Sequence, residues 1–200
     1  MTRPPDDYAS RAGTKLNHAL ESFNVELRGR CCADFGSNAG GFVDCLLRNG
    51  AAKVYAVERG FGVLNYRLRA DARVIVMERT DARHLRRLPD PIHIVTIDAG
   101  WTRQHNILPA ARCVSTDDGL ILTLVKTHYE ADPALLKNGV LPDESIEPVL
   151  KTLRGNLPAL GLRLIAEVES PIRGQAGNRE FFWHLVSEPC AEPPDRESVG

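Results

Sequence analysis

Short apolar runs rich in β-branched residues recur at Cys31 to Ala33, Val54 to Val57, Val74 to Met77, Ile92 to Ile97 and Leu120 to Val125, separated by helix-length stretches. Parallel neighbours need a crossover, usually a helix, so this alternation predicts βαβ units and a mostly parallel sheet. Between the first two runs, Phe42, Cys45 and Leu46 fall at i, i+3 and i+4, while Asp44 and Arg48 form an i,i+4 pair on another face. The spacing predicts an amphipathic helix that stops near Asn49-Gly50. Beyond Val125 the pattern loosens; a helix is expected from about Pro148 to Leu160, then a strand-like run at Leu162 to Val168. The last run, Glu180 to Val186, follows the turn SPIRGQAGN and is expected to return antiparallel beside it.

At 200 residues the chain is long enough for one domain with its own core. The expected division is a tail over 1–7, a domain over 8–187, and a disordered tail over 188–200, where prolines cluster and large apolar groups are few. With 25 basic and 26 acidic residues the net charge is -1, which excludes a polybasic binding module. MTRPPDD has no apolar stretch for a signal peptide, and no run approaches the roughly 18 apolar residues of a membrane-spanning helix, so a cytoplasmic protein with no membrane partner is expected. Five cysteines without a C-x-x-C pair, and six histidines without ligand spacing, lead to reduced thiols and no metal.

Charge changes the picture at the strand ends. Asp34, Glu58, Asp98 and Lys126 each directly follow an apolar run. In an open parallel sheet the carboxyl ends of the strands lie along one edge, where ligands bind. Polar residues also mark ordinary strand exits, but only five of the 25 basic residues are lysine. An amine directly after a strand therefore points to a task a guanidinium cannot perform. The first end opens DFGSNAGGF, whose Gly36, Gly40 and Gly41 permit a tight turn and close backbone approach to a ligand before a helix. It is neither the G-x-G-x-x-G of dinucleotide sites nor a Walker G-K-[ST]. Glu58, at the end of the second strand, suits the two hydroxyls of a ribose. Together these features indicate an adenosine-bearing cofactor, with S-adenosylmethionine the best fit.

The chain resembles the TlyA-type branch of the FtsJ-like RNA 2′-O-methyltransferases from about Asp7 to Val186. The matching stretches are YASRAGTKL, DFGSNAGGFVDCLLRNGAAKVYAVE, ERTDAR, TIDAG, LVKTHYEA, KNGV and SPIRGQAGNREFFWHL. The resemblance implies a Rossmann-like class I methyltransferase, with a mostly parallel seven-stranded sheet, helices on both faces and an antiparallel last strand. It also implies S-adenosyl-L-methionine as cofactor and a catalytic Lys-Asp-Lys-Glu tetrad at Lys15, Asp98, Lys126 and Glu180. Cofactor contacts carry over to Asp34, Gly36, Ser37, Asn38, Gly40, Gly41, Phe42, Glu58, Asp98 and Asp81. Asp81 is equally placed to cap a helical turn. Three stretches depart from the family. S-R-G-G is S-R-A-G here, D-V-S-F is Asp98-Ala-Gly-Trp, and V-K-P-Q-F-E is V-K-T-H-Y-E.

In the chemistry so implied, Lys126 removes the proton of a ribose hydroxyl as it attacks the methyl group. That requires a depressed pKa, from a second cation such as Lys15 or from desolvation. Asp98 acts in the opposite direction, and the sequence leaves the balance open; Glu180 fixes Lys15 or the ribose. The family's amino-terminal RNA-binding domain has no counterpart in the seven residues before Tyr8. RNA, expected to be ribosomal, must then be held by the segment from Arg59 to Arg87, with eight arginines against three acids, or through a protein or ribosomal-particle partner. Trp101 and Tyr129 are candidate stacking partners for a base, and His128 for the acceptor pocket. Competing readings are a methyltransferase on a non-RNA acceptor and a catalytically idle RNA- or cofactor-binding protein.

Overall fold

The computed structural model describes residues 7–188, apart from Trp101 and Gln175. The expected tails, save Asp7 and Glu188, and the stacking expectation for Trp101 lie outside the described residues. Seven strands, β1 (Cys31–Phe35), β2 (Lys53–Val57), β3 (Val74–Met77), β4 (Ile92–Ile97), β5 (Ser115–Lys126), β6 (Leu162–Glu169) and β7 (Glu180–Ser187), form one sheet in the order β3-β2-β1-β4-β5-β7-β6. The first five are mutually parallel; β7 is antiparallel to both β5 and β6.

Both faces of the sheet are covered, and the period-2 alternation of each strand divides its apolar residues between two cores. Ala33, Phe35, Val95, Ile97, Ile121, Val125, Trp183 and Leu185 join the core under α4 (Gln104–Val114) and α6 (Asp143–Asn156). Cys32, Ile94, Leu122, Leu124 and Phe182 join the core under α1 (Ala12–Ser22) and α2 (Gly41–Arg48). Truncating a fully buried side chain such as Phe35 would remove about 3–5 kcal/mol through lost transfer energy and a residual cavity.

α2 follows the sequence expectation. Phe42, Cys45 and Leu46 are buried, Arg48 holds Asp44 at 3.0 Å, and Gly50 takes a positive φ beyond the last turn. Two element starts differ by several residues. β5 starts at Ser115 rather than Leu120, because Ile92 pairs with Ser115 and Ile94 with Leu120, and a bulge absorbs the polar residues between. α6 starts at Asp143 and carries Pro148 inside it. Pro142 at the cap, with Asp143 and Glu144 facing the helix dipole in the first turn, is the stronger start signal, and Pro148, in the second turn, removes one i→i−4 hydrogen bond.

Candidate active site

β1, β2, β4 and β5 all end on one edge, and β7, running the opposite way, begins there. That arrangement sets Glu180 directly opposite Lys126 in the β5–β7 ladder. Lys15 arrives from α1, whose buried stripe of Gly13, Lys15, Leu16, Ala19 and Leu20 carries the lysine inward with its apolar neighbours. Lys15 Nζ donates to Glu180 Oε2 at 2.5 Å, with both side chains under 10% exposed. Lys126 Nζ lies 2.6 Å from Asp98 Oδ1. All four tetrad residues are thereby brought together as two adjacent ion pairs.

Two clefts adjoin at this edge, sharing Ser10, Ala12, Asn38, Asp98 and Lys126. The first, about 350 Å3, is also lined by Gly36, Ser37, Gly41, Phe42, Glu58, Val63 and Gly100. The second, about 580 Å3, holds Lys15 and Glu180 with Arg11, His128, Tyr129, Gly174 and Ala176. Backbone approach explains two of the glycines. A Cβ on Gly36, whose φ is +89°, would lie 2.8 Å from the Asp98 carbonyl oxygen, and one on Gly174 would lie 2.6 Å from Glu180 Oε1. Glu58 shapes the first cleft by accepting from Asn38 N–H at 2.9 Å and Gly60 N–H at 2.7 Å.

Asp34 lies within β1 rather than after it, fully buried and not among the lining residues. Its Oδ1 accepts from Thr96 Oγ1 at 2.7 Å, while Oδ2 is buried with no partner. Burial pushes its carboxyl up to about 8; Thr96 opposes the shift, and the charges of Asp98 and Glu58 add to it. Lys126 is the reverse case. Burial works against its charge but is outweighed by Asp98, with help from Glu180 and Tyr129, and its pKa rises above the ordinary lysine value. Burial, and then the Lys126 charge, lower His128, so its imidazole is neutral at neutral pH.

Gly40 and Asp81 do not line either cleft. Gly40, at φ +95°, packs against Leu64 and Leu68. Asp81 caps the turn over Ala82–His84 and pairs with Arg83 at 2.6 Å, the capping role its sequence also allowed. Sequence reasoning missed Ser10, Val63, Gly100 and Gly174 as lining residues. Ser10, Gly100 and Gly174 lie in the stretches YASRAGTKL, TIDAG and SPIRGQAGN, which carried that signal. No group of three or more metal-ligating side chains occurs among the described residues. No helix among them is long and apolar enough to cross a membrane.

The FtsJ-like methyltransferase family model matches residues 8–186. The 16S/23S rRNA (cytidine-2'-O)-methyltransferase TlyA of Mycobacterium tuberculosis is 36% identical over 186 residues, covering 90% of this chain and 69% of the relative. The 23S rRNA (cytidine-2'-O)-methyltransferase TlyA of Campylobacter jejuni is 32% identical over 184 residues, covering 90% and 71%. A solved hemolysin-named protein of Streptococcus thermophilus superposes with a TM-score of 0.88 at 35% identity, covering 91% of this chain and 68% of that one. The chain spans 66% to 77% of the length of the curated relatives it matches.

The residues present fit S-adenosyl-L-methionine, the methyl donor that this family implies. Ser37 Oγ is buried at the first cleft without a partner, Asp34 Oδ2 is an unpartnered carboxylate oxygen in the strand that leads into the cleft, and each Glu58 oxygen takes only one backbone N–H. Ser37 and Glu58 supply hydrogen-bonding capacity for a ribose, and Asp34, kept protonated near neutral pH by burial, adds a buried hydrogen-bonding group rather than a charge. Sheet order, cleft chemistry and the match over 8–186 agree, and the chain belongs to the FtsJ-like methyltransferase family.

Proposed function

We propose that the protein methylates the ribose 2′-hydroxyl of a structured RNA, ribosomal in origin, with the first cleft taking the methyl donor and the second the acceptor nucleotide. The observation that carries this reading is the convergence of Lys15, Asp98, Lys126 and Glu180 in the second cleft, with Asp98 and Lys126 also lining the first. The rRNA specificity in the names of the relatives favours this substrate class over other hydroxyls. Such RNA is met in the cytoplasm, and a ribosomal particle or protein partner would add RNA affinity to a chain of net charge -1.

S-adenosyl-L-methionine supplies a methyl group activated by a sulfonium. Ser37, Asn38 and Glu58 would hold its nucleoside side, with the buried, protonated Asp34 carboxyl supporting the turn that carries them. On the acceptor side, Lys15, fixed by Glu180, orients the hydroxyl oxygen. Lys126 takes the hydroxyl proton on Nζ. In the free protein Asp98 keeps that amine charged, so the base forms only after its own proton passes to solvent. A positive charge brought into the shared cleft with the methyl donor would lower the lysine pKa and favour that loss. Asp98 then orients the neutral amine and stabilises the ammonium that forms again.

Transfer of radiolabelled methyl to ribosomal RNA or assembled subunits, followed by nucleoside analysis, tests this reading. A 2′-O-methylnucleoside supports it. Label on a protein or a small hydroxyl compound alone would favour the non-RNA methyltransferase that the net charge also permits.

A further inference from the structure

The loop after β2, taken with Tyr66 at the start of α3 (Tyr66–Arg69), exposes three of its four large apolar side chains. Phe61 is 68% exposed, Tyr66 71% and Val63 43%, and only Leu64 is buried. The segment is pinned on both sides. Glu58 N–H donates to the Met77 carbonyl, Thr80 N–H to the Glu58 carbonyl, Gly62 N–H to Glu78 Oε1 at 2.8 Å, and Asn65 N–H to the Ala39 carbonyl. The rings are therefore displayed from a fixed loop, and Val63 reaches the first cleft.

Charge distinguishes this surface from an ordinary apolar patch. The Arg79 guanidinium lies over the Phe61 ring at 4.4 Å, and that of Arg67 over the Tyr66 ring at 5.7 Å, with Arg67 Nε donating to the Tyr66 hydroxyl at 3.1 Å. Among the described residues neither arginine is ion-paired. The nearby acid, Glu78, is taken by Arg69 and the Gly62 N–H. Rings offering a π-face, each accompanied by a cation with spare N–H donors, match a single-stranded nucleic acid. Its bases stack on aromatics and guanidinium planes while its phosphates take the charge. An acidic peptide would use the cations but leave the rings without a stacking partner.

We propose that Phe61 and Tyr66, with Arg79 and Arg67, form a stacking platform for unpaired nucleotides of the RNA substrate beside the cofactor cleft. The proposal rests on the RNA reading above and adds that the RNA crosses this loop as a single strand. Arg83, by contrast, is engaged by Asp81 and is the weaker candidate within the arginine segment.

The test uses the full chain, a fluorescein-labelled 12-nucleotide single-stranded RNA and the same sequence as a duplex. Phe61→Ala/Tyr66→Ala should weaken single-strand binding at least about tenfold, from the loss of two stacked bases, and duplex binding far less. Phe61→Trp/Tyr66→Trp should retain it. An unchanged melting temperature and S-adenosyl-L-methionine affinity exclude misfolding. Single-strand affinity equal to wild type in the alanine variant overturns the platform, as does equal loss on both RNAs or capture of a protein by the rings with no effect on RNA. Methylation assays separate the two claims. Wild-type protein that methylates RNA, with an alanine variant of unchanged KM for it, sinks the platform alone. Ring-dependent binding without any RNA methylation supports the platform and sinks the enzymatic reading.

Discussion

Lys126 and Glu180 are directly paired across the antiparallel β5–β7 ladder, yet they are held by different partners. Lys126 lies 2.6 Å from Asp98 on the β4 side, and Glu180 accepts from Lys15 of α1 at 2.5 Å. The two ion pairs join β4, β5, β7 and α1 at one edge, so the tetrad is a structural joint as well as a proposed catalytic group.

Breaking the more buried pair should be costly. Glu180→Gln or Lys15→Met leaves a charge without its partner at a site under 10% exposed, with an expected loss of about 3–5 kcal/mol in urea unfolding. The double variant should recover much of that. If each single change costs under about 1 kcal/mol, the pair is solvated and has no such role.

Asp34 gives a pH signature. An unfolded Asp34 ionises near its ordinary value of 3.8, whereas burial holds the folded carboxyl up to about 8. Between those values the folded state keeps a proton that the unfolded state has lost, so stability falls as pH rises, by up to about 1.4 kcal/mol per unit. Asp34→Asn keeps the shape and removes the ionisable proton, and should flatten this decline in melting experiments from pH 5 to pH 8. A variant with an unchanged slope would assign the decline elsewhere.

Glu58 is expected to support cofactor affinity both through its own oxygens and by holding the Asn38 and Gly60 backbone. Glu58→Ala should weaken S-adenosyl-L-methionine by roughly tenfold or more in calorimetry, the loss of one or two charge-assisted hydrogen bonds. Unchanged affinity, or tighter binding of NAD, would refute the assignment.

These expectations differ in how far the sequence anticipates them. Asp98 and Lys126 are legible because each directly follows an apolar run in the sequence; Asp98 falls just after β4 and Lys126 is the last residue of β5, which fixes both at the sheet edge. Lys15 is not legible from pattern alone. It lies inside the buried stripe of a helix that no strand-end rule finds, and only the resemblance around YASRAGTKL marked it. Asp81 was ambiguous between ligand and cap, and Arg83 two residues on gave it a local partner. The start of β5 was hidden because Asp117, Asp118 and Gly119 break the apolar run within a bulge. The Lys126 protonation balance was beyond sequence altogether, since it depends on how closely Asp98 approaches a buried amine.

The most direct test of the account follows that balance: the pH dependence of 2′-O-methyl formation in ribosomal RNA under single-turnover conditions, in wild type, Lys126→Ala, Lys126→Arg and Asp98→Asn. With Lys126 charged at rest and acting as base, the wild-type rate should rise about tenfold per pH unit from about pH 6 to about pH 8. Asp98→Asn should move the rising limb to lower pH, because the carboxylate that stabilises the ammonium is gone. Both Lys126 variants should lose at least about 100-fold while cofactor affinity stays within about threefold. A pH-independent rate together with substantial activity in Lys126→Arg would contradict the account, because a guanidinium does not give up its proton at these pH values.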